Sequence, residues 1–297
     1  MTSDQPPPIL AEPDSQEVKI DMAVDTETTG TYVDAGGVHS YYEVTGHGDP
    51  LLLLHGGFST IESWGAQTPA LAERYRVFLP ERRGHGRTPD VEGPTGFGIM
   101  ARDTIAFMEA LGISSAHLVG WSDGGNVGLE IALLRPDLVR KLVIVGAGDD
   151  FDVMQPEGPR YTAEVRAQAQ NFTPDALPPM LREAYEQLSP DGPDHFPVVF
   201  DKLVAAWRTG PTHALGDLAR ISAPTLVMLG DDDMITVDHA AAIQRTIPDA
   251  QLAVVPGTDH LLQYEKPDLV NRIILDFLAD VQAPKLFSAG SEGGPAS

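Results

Sequence analysis

Gly120-Trp121-Ser122-Asp123-Gly124 is the stretch that most restricts how this chain can fold. It follows the apolar run 116–119 and precedes a helix-like run, 126–134, so it reads as a strand entering a helix through a very tight turn. Such a turn holds its central residue in a strained backbone conformation. Side chains two positions to either side would meet where strand and helix cross, so glycine stands there. The Ser122 hydroxyl is thereby lifted clear of the turn, within reach of a base. The competing reading is a glycine-rich turn with an incidental serine; the flanking strand and helix argue against it.

The rest of the chain repeats the same alternation. Thr31 to Val33 and Val38 to Val44 flank Gly36-Gly37 as a hairpin, and Leu51 to Leu54 is a fully apolar strand. Trp64 to Ala72 reads as a short helix, Arg76 to Leu79 as a strand, and Ala101, Ile105, Met108 and Leu111 as the apolar face of a helix ended by Gly112. Strands follow at 142–145, 225–229 and 252–255, with helices at 237–246 and over the apolar face of Leu269, Ile273 and Phe277. Short apolar strands alternating with helices predict an α/β fold, with a mostly parallel sheet covered on both faces and ligands at the carboxyl ends of its strands. The segment 149–220 breaks the rhythm with many prolines and short helical pieces (163–169, 179–187, 198–207), and is expected to be a helical cap, or lid, over that edge. Its aromatic residues and methionines, Phe151, Met154, Tyr161, Phe172, Met180, Tyr185, Phe196 and Trp207, are expected mostly to form the cap's own small core.

The core is thus expected at 31–148 and 221–282, between a disordered acidic tail, 1–30, and a flexible tail, 283–297. Seven acids against Lys19 put six of the 23 net negative charges in the first tail, so the folded part stays acidic. An acidic surface repels phosphate backbones, which argues against a nucleic-acid partner. No apolar run approaches the roughly 20 residues that span a bilayer, so no membrane partner is expected. Absence of cysteine removes disulfides, thiol catalysis and cysteine-bound metals together. The N-terminus lacks a basic start and an apolar stretch, so a cytoplasmic location is the expectation. Oligomeric state is not readable.

Serine is a weak nucleophile at neutral pH and needs a base, itself oriented by a third group. His260 has the right place, on the loop between the last strand and the last helix, at the same edge as Ser122. His55 and His85 lie in glycine-rich loops as structural hydrogen-bonders, and the remaining histidines lack such placement. The orienting acid is expected among Asp231, Asp232 and Asp233, with Asp149 or Asp150 as a second source; spacing does not choose. The oxyanion formed on attack needs pre-aimed donors: the amide of Asp123, next to the nucleophile, and that of Gly57 in the loop His55-Gly56-Gly57-Phe58. No dinucleotide fingerprint, phosphate loop or cluster of metal ligands is present, so no cofactor or metal is expected.

With these residues in order, the chain resembles the α/β-hydrolase superfamily from about residue 31 to 282. The resemblance rests on His55-Gly56-Gly57, Arg83-Gly84-His85-Gly86, the 120–125 elbow, Gly230-Asp231-Asp232-Asp233, and Thr258-Asp259-His260 followed by Glu265-Lys266-Pro267. It implies the α/β-hydrolase fold, selects Asp233 as the acid and supports Gly57 as the second donor. The elbow is similar to that of the valacyclovir hydrolase (biphenyl hydrolase-like) group, in which the acid after the nucleophile helps recognise a substrate amino group; Asp123 stands there. Phe58, Trp121, Asp123 and Trp207 are the expected substrate contacts. Glu81 and Thr88 depart from the Asp and Ser often found in the family. The implied activity is a cofactor-independent serine hydrolase acting on a small-molecule carboxylic ester, lactone or related acyl bond. A perhydrolase or haloperoxidase on the same triad, or a slow-turnover ligand receptor, are the alternatives.

Overall fold

The computed structural model describes residues 30–148 and 172–281. Both tails, the helical piece expected at 163–169, residues Asp149, Asp150, Phe151, Met154 and Tyr161 lie outside these. The described residues form one eight-stranded sheet: β1 (Thr31–Ala35), β2 (Val38–Gly46), β3 (Asp49–Leu54), β4 (Tyr75–Pro80), β5 (Ala116–Trp121), β6 (Val139–Val145), β7 (Thr225–Gly230) and β8 (Ala250–Val255). Its order is β1-β2-β4-β3-β5-β6-β7-β8, with β1–β2 and β2–β4 antiparallel and every later pair parallel.

The helices are α1 (Thr68–Ala72), α2 (Phe97–Ala110), α3 (Asp123–Leu134), α4 (Pro179–Leu188), α5 (Phe196–Thr209), α6 (Val237–Thr246), α7 (Leu262–Glu265) and α8 (Pro267–Leu278). The helix expected over Trp64 to Ala72 is two pieces, a 3-10 turn at Ile61–Trp64 and α1. Pro69 explains the break: it has no N–H to donate to a preceding turn, and is tolerated only where a helix starts.

Side chains alternate across each strand, so neighbours enter different cores. Leu52 and Leu54 pack with Leu118, Ile144 and Val227 under α2, α3 and α6. Leu51 and Leu53 pack with Val119, Val145 and Met228 under Trp64, Leu71 and α8. Both faces are buried, which is why the central strands read as continuous apolar runs. Glu81 and Thr88 act in packing: Glu81 receives Arg87 at 2.7 Å, and the Thr88 hydroxyl donates to the Glu81 carbonyl and accepts from the Tyr41 amide.

The insertion between β6 and β7 carries α4 and α5 and has its own apolar core of Leu177, Tyr185, Phe196, Val199, Phe200 and Leu203, which also takes in Phe58 from the main body. Both ends of the insertion attach to α3. Asn126 Oδ1 accepts from the Gly148 amide at 2.9 Å at one end. At the other, the Glu130 carboxylate accepts from the Thr212 amide at 2.7 Å and from its hydroxyl at 2.6 Å. Between them, Asp90 receives Lys202 Nζ at 2.6 Å and His195 Nε2 at 3.0 Å. No helix among the described residues is long and apolar enough to cross a membrane.

Candidate active site

The elbow has the expected conformation. Ser122 sits at φ 54, ψ −122, in the left-handed half of backbone space, between β5 and α3. Its amide donates to Val145 O at 2.8 Å, which ties the turn to β6. A Cβ on Gly120 would lie 2.2 Å from Gly124 O, and one on Gly124 would lie 2.0 Å from Leu54 O. Both glycines are therefore imposed by backbone crossing, and neither neighbour can step aside.

His260 Nε2 lies 3.0 Å from Ser122 Oγ, and His260 Nδ1 lies 2.9 Å from Asp233 Oδ1. With the Nδ1 proton donated to Asp233, Nε2 is left to accept from the serine hydroxyl. Asp233 Oδ1 also accepts the Ile235 amide at 3.1 Å, which fixes its carboxylate at the end of β7. The neighbouring acid is used differently: Asp231 accepts the Thr258 amide at 3.1 Å and braces the loop that carries His260. Trp121 Nε1 donates to the His260 carbonyl at 2.9 Å, with its ring 5.7 Å from the imidazole. Gly146, at φ 54, was not singled out from sequence: a Cβ there would lie 2.9 Å from His260 Nδ1 and 3.0 Å from Asp233 Oδ2. A glycine directly after an apolar strand at this edge was the available signal.

On the other side of Ser122, α3 opens at Asp123, so the Asp123 amide has no acceptor within its own helix. Gly57 faces it: a Cβ on Gly57 would lie 2.6 Å from Asp123 Oδ2 and 2.9 Å from Trp207 Cζ2. Trp207 Nε1 donates to both Asp123 oxygens, at 2.9 and 3.0 Å. Asp123 is only 4% exposed, and burial pushes its carboxyl above the usual range, opposed by Arg82 and by the indole N–H. A substrate ammonium that reaches Asp123 has to share this carboxylate with the indole or displace it. Phe58 is buried in the insertion's core, its ring 5.4 Å from Phe200 and 5.3 Å, edge-on, from Trp207. It too has positive φ, 55, so two strained non-glycine residues flank the site.

Beneath the loop 55–58 lies a residue that sequence reasoning passed over. Arg82 sends Nη1 to His55 O at 2.5 Å and Nη2 to Gly56 O at 3.1 Å. The His55 and His85 rings lie nearby, tilted to each other with centroids 4.9 Å apart, and are held neutral: burial lowers His55 well below its ordinary pKa and His85 to about 3, each pushed further by Arg82. They serve as buried hydrogen-bonders, as expected. Ser122, Gly57, His260 and Trp207 remain partly open to solvent, whereas Asp123, Asp233, Phe58 and Trp121 form the buried floor. Such an arrangement can accept a proton from Ser122 Oγ, hold the resulting imidazolium, and return the proton to a leaving group at the same place.

Residues 51–273 match the Alpha/beta hydrolase family. The chain is 33% identical over 263 residues to the 2-hydroxy-6-oxo-6-phenylhexa-2,4-dienoate hydrolase of Burkholderia cepacia, covering 79% of this chain and 89% of that protein. It is 30% identical over 271 residues to the serine hydrolase BPHL of Homo sapiens, covering 86% and 88%. Among solved structures it is similar to the meta-cleavage product hydrolase CumD of Pseudomonas fluorescens IP01, with a TM-score of 0.69 at 26% identity over 85% of this chain and 98% of that one. With the sheet order, the elbow and these likenesses together, the chain belongs to the alpha/beta hydrolase family and is similar to its biphenyl hydrolase-like group.

Proposed function

We propose that this hydrolase is a cofactor-independent serine enzyme that cleaves a carboxylic ester, lactone or related acyl bond through an acyl-enzyme. The reading rests on one observation above the others: the unbroken relay from Asp233 through His260 to Ser122, at 2.9 and 3.0 Å, on a strained elbow. Ser122 Oγ attacks the substrate carbonyl carbon while His260 Nε2 takes its proton. Asp233 stabilises the imidazolium. The amides of Gly57 and Asp123 receive the negative charge that forms on the carbonyl oxygen. Collapse of the tetrahedral intermediate expels the alkoxide, which leaves with the proton from His260. Water then attacks the acyl carbon, giving its proton to His260, and Ser122 is released as the free hydroxyl. The 6-oxo group in the name of the Burkholderia relative's substrate is likewise a carbonyl, the kind of centre this geometry suits.

The insertion acts in this reading as a cap, with Phe58, Trp121, Asp123 and Trp207 around the bound substrate. The decisive experiment measures hydrolysis of p-nitrophenyl acetate and labelling by a fluorophosphonate, in the protein and in Ser122→Ala. Turnover and labelling should both disappear in the variant, apart from a residue due to binding and oxyanion stabilisation. Near-full activity in Ser122→Ala overturns the mechanism. Comparing an amino-acid ester with its N-acylated form tests Asp123: equal rates, or preference for the acylated ester, remove it from amine recognition.

A further inference from the structure

The amide assigned to the oxyanion belongs to a pair of consecutive glycines, whose backbone is intrinsically permissive. Gly56 and Gly57 are both required to be glycine, since a Cβ on Gly56 would lie 2.7 Å from the Trp121 ring and one on Gly57 would lie 2.6 Å from Asp123 Oδ2. Two consecutive glycines leave the peptide between them free to rotate as a unit, at little steric cost. That peptide is planar and trans, so the Gly56 carbonyl and the Gly57 N–H point in opposite directions. Whatever holds the carbonyl therefore aims the amide.

The carbonyl is held by several donors. Gly56 O accepts from His55 Nδ1 at 2.8 Å, from Arg82 Nη2 at 3.1 Å and from the Ser59 amide at 3.4 Å. The His55 tautomer agrees, because its Nε2 accepts the Arg82 backbone amide at 3.2 Å, leaving the proton on Nδ1. Arg82 also bonds His55 O, so one guanidinium spans two successive carbonyls of the loop. The same guanidinium is 3% exposed, makes no salt bridge among the described residues, and leaves its Nε without a partner. A buried cation without a contacting carboxylate is costly. If packing alone were required, an apolar side chain would be cheaper.

We propose that Arg82 is a positioning residue for the oxyanion site: by clamping the carbonyls of His55 and Gly56 it fixes the Gly56–Gly57 peptide with its N–H toward Ser122. Two effects act together. The clamp removes the flipped peptide from the ground-state ensemble. Donors on the carbonyl oxygen also polarise the peptide, and hydrogen-bond chains of this kind strengthen by about 10–30% per bond, so the Gly57 N–H is the better donor when negative charge arrives. The guanidinium's own charge, behind the peptide, favours that same charge. Arg82 touches no reacting atom and acts through Gly57.

The inference rests on the serine-hydrolase reading, and the test separates the two. Wild type, Arg82→Gln, Arg82→Lys and Ser122→Ala are compared with p-nitrophenyl esters, with rates expressed per site titrated by a fluorophosphonate. Affinity for an aryl trifluoromethyl ketone, which forms a serine hemiketal whose oxygen mimics the oxyanion, is measured alongside. Loss of a single direct oxyanion donor costs about 10²–10³ in kcat, so loss of the residue that orients one should cost about ten- to a hundredfold. In Arg82→Gln, kcat per titrated site should fall by that amount with KM within about twofold, and ketone affinity should fall in parallel. Arg82→Lys, which keeps the charge but not the fork, should recover part of both. Unchanged kcat per titrated site in Arg82→Gln, or a fall in kcat without a fall in ketone affinity, overturns the role. Should Arg82→Gln not fold, the same parallel loss is required of Arg82→Lys, and its absence overturns the role equally. Near-full esterase activity or undiminished ketone affinity in Ser122→Ala instead overturns the parent mechanism.

Discussion

Replacing Trp207 by Phe probes how the insertion is fastened to the elbow. The indole N–H reaches both Asp123 oxygens, at 2.9 and 3.0 Å, across 84 positions of sequence. Phenylalanine keeps the edge-on contact with Phe58 but leaves the buried carboxylate without that donor. A hydrogen bond to a charged group is worth about 1.5–3 kcal/mol. The Asp123 carboxyl already lies above its ordinary range because burial disfavours its charge, with Arg82 and the indole opposing. Losing the indole raises it further. A group whose folded pKa is raised binds its proton more tightly in the folded than in the unfolded state, so its contribution to stability grows as pH falls and is lost as pH rises. The variant should therefore be most destabilised when Asp123 is ionised, near pH 8, and less so near pH 5. The smaller ring also costs packing, but equally at both pH values, so the difference isolates the carboxylate. Urea unfolding at the two pH values measures it. Amide exchange over 196–209 should accelerate roughly ten- to a hundredfold at pH 8, the equivalent of that energy if α5 lifts off to hydrate the acid. Equal destabilisation at pH 8 and 5 with unchanged exchange in α5 would refute the reasoning.

Gly124→Ala should abolish folding or cost more than about 4 kcal/mol, because its Cβ meets Leu54 O at 2.0 Å; a wild-type thermal midpoint by circular dichroism contradicts this. Burial opposes the charge on Asp90, but Lys202 and His195 outweigh it and hold the carboxyl below its ordinary range. That link is present at neutral pH and is lost as pH falls through the depressed pKa, below about 3.9, so exchange in α5 should rise there and Asp90→Asn should show the rise already at pH 7. His85 is kept neutral to about pH 3 by burial, whereas an unfolded histidine protonates near 6.5. Stability should drain as pH falls from 6.5 toward 3, and His85→Gln should flatten that slope by about 1.4 kcal/mol per pH unit in urea titrations; an unchanged slope counts against it.

Residues whose roles depend on local order were legible in the chain. Leu51 to Leu54 announces a strand buried on both faces, and Ser122 and His260 announce themselves by standing where strands end. Asp233 was not separable from Asp231 and Asp232 by spacing, because three consecutive carboxylates on a turn differ only in direction; the resemblance chose it, and Asp233 is the one that meets His260. Arg82 left no periodic or motif signal, since it works through backbone carbonyls 26 and 27 positions away. The split before Pro69 shows the converse: a single missing N–H outweighed an apolar pattern that ran on through it.

Both stems of the insertion end on one helical turn, Gly148 at Asn126 and Thr212 at Glu130. What lies between them is, to the core, a closed loop whose ends are already paid for by α3. Loop closure grows only logarithmically with length, about 0.6 kcal/mol for each doubling. A cassette of another length can therefore be carried between these two anchors, provided that it still covers Phe58 and supplies the donors that Trp207 gives Asp123 and Lys202 gives Asp90. Asn126 and Glu130 are the sockets that any replacement has to fit.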